Sequence, residues 1–212
     1  MALTFAAKEL FGGAILASVP STWMDMSDIR QVPDNQESFI DTTGFGTLIF
    51  ELNERVDQGD EEASIKFHLS DIFEDDAYKI WQSRKLDSGD IPGLPDVPAY
   101  SMLITTPYVE KRRHVAGHPS QFVALAIVIV RLEKQKTDIV ITANMPHSLT
   151  DAQAEKSLCC PGLEADQGFA ADHVWKPDTA GPALKKLLEI IEQAVKGFVI
   201  RDWDLFVTED AN

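Results

Sequence analysis

At 212 residues, with 44% apolar and 25% charged side chains, the chain has ordinary globular composition and length enough for a well-packed core. Its charge is less ordinary: 34 acidic against 19 basic residues leave a net −15. Such a chain repels phosphate backbones and anionic lipid at long range, which argues against nucleic acid and membrane surfaces and favours basic proteins as partners.

Met1 to Glu9 lacks the basic run, apolar core and cleavage site of a signal peptide. The most apolar stretch, Phe122 to Val130, is nine residues long, well short of the roughly 20 that cross a bilayer. The two cysteines, Cys159 and Cys160, are adjacent and build no disulfide framework. No Asn-x-Ser/Thr sequon occurs. These features place the chain in a reducing compartment: cytosol, nucleus or both.

In chain order, Leu10 to Val19 (LFGGAILASV) reads as a buried strand whose Gly-Gly pair permits a bulge, stopped by Pro20. Ser21 to Asp34 is mostly loop, and Glu37 to Asp41 is a short extended run ended by the turn Gly44-Phe45-Gly46. Thr47 to Val56 (TLIFELNERV) fits two patterns. As a strand it buries Leu48-Ile49-Phe50; as a helix it aligns Leu48, Ile49, Leu52 and Val56, and the helix is the reading adopted. Asp57 to Glu62 is an acidic turn, and Ile65 to Leu69 is either a strand or the lead-in to the next element. Asp71 to Lys85 reads as a helix capped by Asp71 with Glu74, with Phe73, Ala77, Ile80 and Trp81 on one face.

Ser88 to Pro98 is a proline- and glycine-rich loop, and because the apolar segment after it lacks partners of its own, residues 1–212 are taken as one domain. Phe122 to Leu132 and Asp138 to Asn144 are β-branched strands joined by a link short enough for an antiparallel hairpin. Thr150 to Ser157 is a short helix capped by Thr150 with Gln153, and Gly162 to Thr179 is irregular. Pro182 opens the clearest helix, with a stripe at Leu184, Leu187, Leu188, Ile191, Val195 and Phe198. Val199 to Val207 closes the chain as an edge strand. Hairpin strands with helices that do not alternate regularly with them define an α+β fold, an antiparallel sheet covered by helices.

Signatures of chemistry are sparse. Neither glycine pair continues into a Walker-type Gly-Lys-Ser/Thr, and no G-x-G-x-x-G exists. His114 and His118 have helical metal-pair spacing, but Gly117 and Pro119 break the helix that would align them. The cysteine pair has no Cys-x-x-Cys partner, the run Asp57 to Glu62 is not a calcium loop, and no G-x-S-x-G elbow is present. Lys111-Arg112-Arg113 is too short for a localisation signal. No cofactor is implied, and an acid–base enzyme, such as a small-molecule hydrolase, is the alternative to a binding protein.

One feature resists the reading of a merely solvated surface. From Asp25 to Glu62 eleven acids face only Arg30 and Arg55. In the loop from Asp25 to Glu37 the acids interleave with Trp23, Ile29, Val32, Pro33, Asn35 and Gln36, the mixture typical of binding loops. The candidate residues of this loop are therefore Asp25, Asp28, Asp34, Asn35, Gln36 and Glu37.

The same residues carry a resemblance. Leu10 to Ile15 (LFGGAI), Asp25, Ser27 to Glu37 (SDIRQVPDNQE) and Phe39 resemble the Mog-type Ran guanine nucleotide release factors. The likeness continues through Leu48 to Glu54 (LIFELNE), Ala124 to Leu132, Thr137 to Pro146 and Ile200 to Phe206 (IRDWDLF). It implies an α/β/α sandwich around a six-stranded antiparallel sheet, and a regulatory protein rather than an enzyme. It also implies binding to the small GTPase Ran, preferably with GTP, stimulated nucleotide release, and a role in nuclear import; the chain is taken as a monomer, in nucleus and cytoplasm. The family's Ran-contacting carboxylates fall on Glu51 and Glu54, with Asp34 to Glu37 on the same surface. The family pattern admits Asp where this chain has Glu51, which keeps the charge and moves it by one methylene.

Overall fold

The computed structural model describes residues 3–57, 59–107, 120–154, 167–169 and 180–206. His114, His118, the basic triplet at 111–113, both cysteines and most of the irregular stretch 162–179 lie outside them.

The N-terminal apolar run is two strands, not one. β1 (Phe5–Leu10) and β2 (Ile15–Pro20) form an antiparallel hairpin, with Leu10 opposite Ile15. Phe11, Gly12 and Gly13 turn the chain at φ values of 50°, 67° and 95°. The glycines expected to allow a bulge instead make the reversal, because successive positive φ angles suit residues without a Cβ. β11 (Val199–Ile200) joins β2 as a third strand. The chain then leaves the sheet for a short 3-10 turn, Trp203–Phe206, so the closing strand expected over Val199 to Val207 is only two residues long.

The main sheet runs β10-β6-β7-β8-β9-β5-β4-β3: eight strands, where six were expected. The strands are β3 (Met24–Asp25), β4 (Gln36–Ile40), β5 (Thr47–Glu54), β6 (Tyr78–Lys85), β7 (Ala99–Pro107), β8 (Ser120–Leu132), β9 (Thr137–Ser148) and β10 (Gln167–Phe169). All pairings are antiparallel except β10 with β6. The β8–β9 hairpin stands as the sequence predicts.

Two expectations fail on helix–strand ambiguity. Thr47 to Glu54 is a strand, paired along its length with β9 on one side and over Thr47–Glu51 with β4 on the other. Leu48 and Phe50 are fully buried while Ile49 and Glu51 are half-buried, a period of two that pairing enforces over the helical stripe. The helix expected at Asp71 to Lys85 lies one segment earlier, as α1 (Glu61–Phe73). Asp60 is its N-cap, accepting from Ala63 N at 2.9 Å, and Glu61 and Glu62 occupy the first turn, where carboxylates favour the helix dipole. Glu74, at φ 50°, ends the helix, and the chain re-enters the sheet as β6. The acidic turn of the sequence is thus a helix start.

α2 (Leu149–Ala154) is short. Ser148 rather than Thr150 caps it: Ser148 Oγ accepts from Asp151 N, and Asp151 Oδ2 accepts from Ser148 N at 3.1 Å. α3 (Pro182–Lys196) follows its predicted stripe, burying Leu184, Leu187, Ile191 and Val195.

The layers follow from the alternation of the strands. On one face, Leu69 and Phe73 of α1 pack with Ile80, Met102, Ile104, Val123, Leu125, Ile127, Ile129 and Val140. On the other, α3 and the β1–β2 hairpin cover Leu48, Phe50, Leu103, Ala126, Val128, Ile139 and Ile141. Gly93 permits the close approach of the 88–98 loop to the end of α3, since a Cβ there would stand 2.1 Å from Phe198 O.

Candidate functional site

β4 and β5 bring most of the candidate residues to one corner of the sheet. Gln36 lies opposite Glu51, and Glu37 opposite Phe50. The pairing runs on past the strand: Leu52 N donates to Asn35 O at 2.9 Å, and Asn35 Nδ2 donates to Leu52 O at 3.1 Å. Asp34, Asn35, Gln36, Glu51 and Glu54 therefore sit where β4 begins and β5 ends. Glu51 takes one hydrogen bond, from Gln36 Nε2 at 3.0 Å, and is half-buried; Asp34 and Glu54 are exposed. Because side chains alternate along a strand, Glu51 points to the α1 face and Glu54, three residues on, to the other. The two flank the corner rather than lie side by side.

The other candidates separate from this group. Glu37 shares Phe50's face and turns towards the hairpin, where its Oε1 accepts from Phe11 N at 2.7 Å. Asp25 lies on β3, opposite Phe39 of β4, and caps the turn Met26–Asp28 by accepting from Ser27 N at 2.8 Å and Ser27 Oγ at 2.7 Å. Asp28 is exposed on that turn. Trp23 is 5% exposed and belongs to the core, so it cannot offer the contact surface that its place in the acidic loop suggested.

Beside the corner is a cleft of about 410 Å³ lined by Asn53, Glu54, Val56, Asp57, Phe67, His68 and Asp71. Its floor is a charged cluster that motif reading passed over. Asp138 is fully buried. It accepts from His68 Nε2 at 2.9 Å, from Val56 N at 3.0 Å and from Arg131 Nε at 3.2 Å. Burial pushes the Asp138 carboxyl up, but the bonds from His68 and Val56 and the Arg131 charge outweigh it and hold the group below the usual carboxylate range. Arg131 and Ser64 also donate to Val56 O. The cluster ties α1, the exit of β5 and the β8–β9 hairpin together, and its hydrogen bonds run inward. Its trace in the sequence is a charged residue at one end of each β-branched run, Arg131 and Asp138, next to the hairpin turn.

A second tie holds the far end of β4. Burial pushes the Asp41 carboxyl up, but the ammonium of Lys186 at 2.7 Å and two bonds from Thr43 more than reverse this, leaving it at about 2. A cavity of about 440 Å³ lies between α3 and β6–β7. Its charged groups are paired: Arg84 with Asp90 at 2.6 and 2.8 Å, and Lys196 with Glu192 at 2.5 Å. Among the described residues no three His, Cys, Asp or Glu side chains gather as a metal site requires, and no helix is long and apolar enough to cross a membrane.

A mixed α+β chain with a mostly antiparallel sheet and a solvent-facing acidic corner is the class these features define. Residues 8–146 match the family described as the Ran-interacting Mog1 protein, and the chain belongs to that family. The probable ran guanine nucleotide release factor of Dictyostelium discoideum is 28% identical over 213 residues, spanning 98% of this chain and 99% of that one. The nuclear import protein mog1 of Schizosaccharomyces pombe is 32% identical over 144 residues, covering 65% of this chain and 75% of its own. The crystal structure of the Saccharomyces cerevisiae Ran-binding protein Mog1p superposes with a TM-score of 0.67 at 21% identity, over 97% of this chain and all of that one, which establishes the shared fold.

Proposed function

We propose that this chain binds the small GTPase Ran through the acidic corner and stimulates release of its guanine nucleotide, in support of nuclear protein import. The observation that carries the reading is the family match over residues 8–146, a span that includes every candidate residue. The names of the Dictyostelium and Schizosaccharomyces relatives point the same way. In this reading the protein is a regulator acting as a monomer on GTP-bound Ran, in nucleus and cytoplasm, and the whole chain is one Ran-binding domain.

The physical logic is differential binding. A GTPase holds its nucleotide with a lysine, backbone amides and Mg²⁺ against the phosphates. A release factor stabilises the loosened state more than the bound one. Carboxylates suit this task because they pair with basic groups that the phosphates otherwise occupy. Asp34 and Glu54 are exposed carboxylates of the corner and Glu51 keeps acceptor capacity beyond its one bond from Gln36; Glu37 and Asp25 support it through their internal bonds. Moving a population from 1:99 to 99:1 needs about 5.5 kcal/mol of differential affinity. Exposed ion pairs give about 0.2–1 kcal/mol each, so desolvated contacts must add to them.

The test is nucleotide release. Ran loaded with fluorescent GTP or GDP is mixed with this protein and excess unlabelled nucleotide, and the fluorescence decay is followed. Acceleration is expected, larger for GTP. Identical decays with and without the protein would refute the reading.

A further inference from the structure

The carboxylates of the corner need apolar company, and Trp23 is buried. The pairing registers show where such company lies. Met24 is opposite Ile40, Ile40 opposite Thr47, and Thr47 opposite Asn144. One row along, Ser38 is opposite Ile49, Ile49 opposite Thr142, and Thr142 opposite Ile127. In the next row Gln36 is opposite Glu51 and Glu51 opposite Val140. Paired residues share a face of a sheet. Ile127 and Val140 both pack under α1, so all three rows lie on the α1 face.

α1 does not extend over this end of the sheet. Among the described residues, the core that it builds draws on β6, β7, β8 and Val140 of β9, and contains no residue of β3, β4 or β5. The face of β3–β4–β5 is a plate whose apolar positions are Met24, exposed, and Ile40 and Ile49, half-buried, with Ser38 buried among them. Met24 is 44% exposed, and Ile29, at the end of the turn packed beside β4, is 56% exposed, the largest exposure of any large apolar residue described. The exposed Asp28 and Arg30 flank Ile29 in the chain, the exposed Asp34 precedes β4, and the half-buried Glu51 lies in the third row of the same face. An apolar centre inside a charged rim is the anatomy of a protein interface.

We infer that this plate is the apolar half of the docking surface, that Met24 and Ile29 are its anchors, and that its occupant is an apolar patch ringed by lysines or arginines on the same GTPase. The inference rests on the Ran-binding reading and adds to it the residues that carry the desolvated contacts. Two arguments select this occupant. The plate is continuous with Gln36 and Glu51 through the third row, so a partner gripping Glu51 covers Ile49 as well. Its rim is acidic, which repels another copy of this chain and attracts a basic surface.

The experiment is calorimetric titration of GTP-loaded Ran at several salt concentrations, with each variant first shown by circular dichroism to melt like the parent protein. Met24→Ser with Ile29→Ser is expected to weaken binding about tenfold or more, with the slope of affinity against salt unchanged. Glu51→Lys is expected to weaken binding and flatten that slope. Val199→Ser serves as the control: Val199 is 42% exposed but belongs to the three-stranded sheet with β1 and β2, and no change is expected. If the parent protein itself gives no binding, the Ran reading fails and the occupant with it. If the parent binds and the Met24, Ile29 variant binds equally well, the plate is not the docking face, while the Ran reading stands. A loss at Val199 as large as at Met24 and Ile29 would also overturn the assignment.

Discussion

Asp138 and Glu51 are carboxylates on neighbouring strands, and the ladder partner of Asp138, Asn53, is two residues from Glu51 on the same face. Asp138 lies beneath α1, fully buried, with His68, Arg131 and Val56 N all donating to it. Glu51 lies beyond the helix, half-buried, with one bond from Gln36. Chemically alike, they differ by what covers them. Under the helix a carboxylate must be fully satisfied, and its charge is spent on folding. Past the helix edge the same group is left with acceptor capacity for a partner. The reach of α1 thus separates the half of the sheet that holds the molecule together from the half proposed to dock.

The sharpest way to break that division is Asp138→Ala. It leaves His68 buried without its carboxylate and Arg131 buried with only Val56 O and the more distant Asp57, and should cost about 3–5 kcal/mol in urea denaturation. A loss below about 1 kcal/mol would mean that water or neighbours satisfy the cluster, and that its burial is not what separates it from Glu51. The converse variant, Glu51→Lys with Glu54→Lys, should leave the urea midpoint within about 0.5 kcal/mol of the parent. Its affinity for Ran should fall about ten- to hundredfold, and association should lose much of its salt dependence. Undiminished affinity in calorimetry would remove both residues from the site.

The division itself could not be read from the sequence, although its ingredients could. α3 and the β8–β9 hairpin announce themselves, since an apolar stripe of period 3.6 and two β-branched runs with a short link each admit one local structure. The LIFELNE segment admits two, and only the presence of β4 and β9 on either side decides for a strand. The resemblance puts Glu51 and Glu54 in one site; on a helix i and i+3 would share a face, but on a strand they part to opposite sides. The helix over Asp71 to Lys85 went astray because Phe73, Ile80 and Trp81 have nearly helical spacing. The left-handed turn at Glu74 between them leaves no mark in composition. Glu37 and Asp25 look like free binding carboxylates until the hairpin and the turn that they bond are in place.

Acid unfolding separates the two kinds of carboxylate in a second way. Asp41 drops from its ordinary 3.8 to about 2 in the fold. A carboxyl depressed in the folded state contributes its full stabilisation above the unfolded value, and loses it as pH falls through the folded one. The Asp41–Lys186 tie should therefore contribute about 2 kcal/mol at pH 5 and above, fading between pH 4 and 2. Asp41→Asn should be less stable than the parent at pH 6 by about that amount, with the difference closing by pH 2. A constant gap across that range, in thermal melts at each pH, would place the contribution in packing instead of charge. Asp138, also depressed, steepens the parent's acid transition in the same direction.

The finest discrimination uses one arginine. Arg131 has Asp138 at 3.2 Å and Asp57 at 3.9 Å, and the two carboxylates are 0% and 74% exposed at their side chains. Asp57 also meets Arg55 Nε at 2.8 Å, a better distance than the one between Arg131 and Asp138. If distance set the energy, removing Asp57 would rival removing Asp138. Burial argues otherwise: water competes for Asp57 on most of its surface, and an exposed pair gives up to about 1 kcal/mol. Asp57→Ala should therefore shift the urea midpoint by no more than about 0.5 kcal/mol, while removing one charge from the rim of the cleft beside Glu54. A loss of several kcal/mol at Asp57 would show the cluster to extend to the surface. The boundary between the folding charges and the docking charges would then fall further along β5 than α1 draws it.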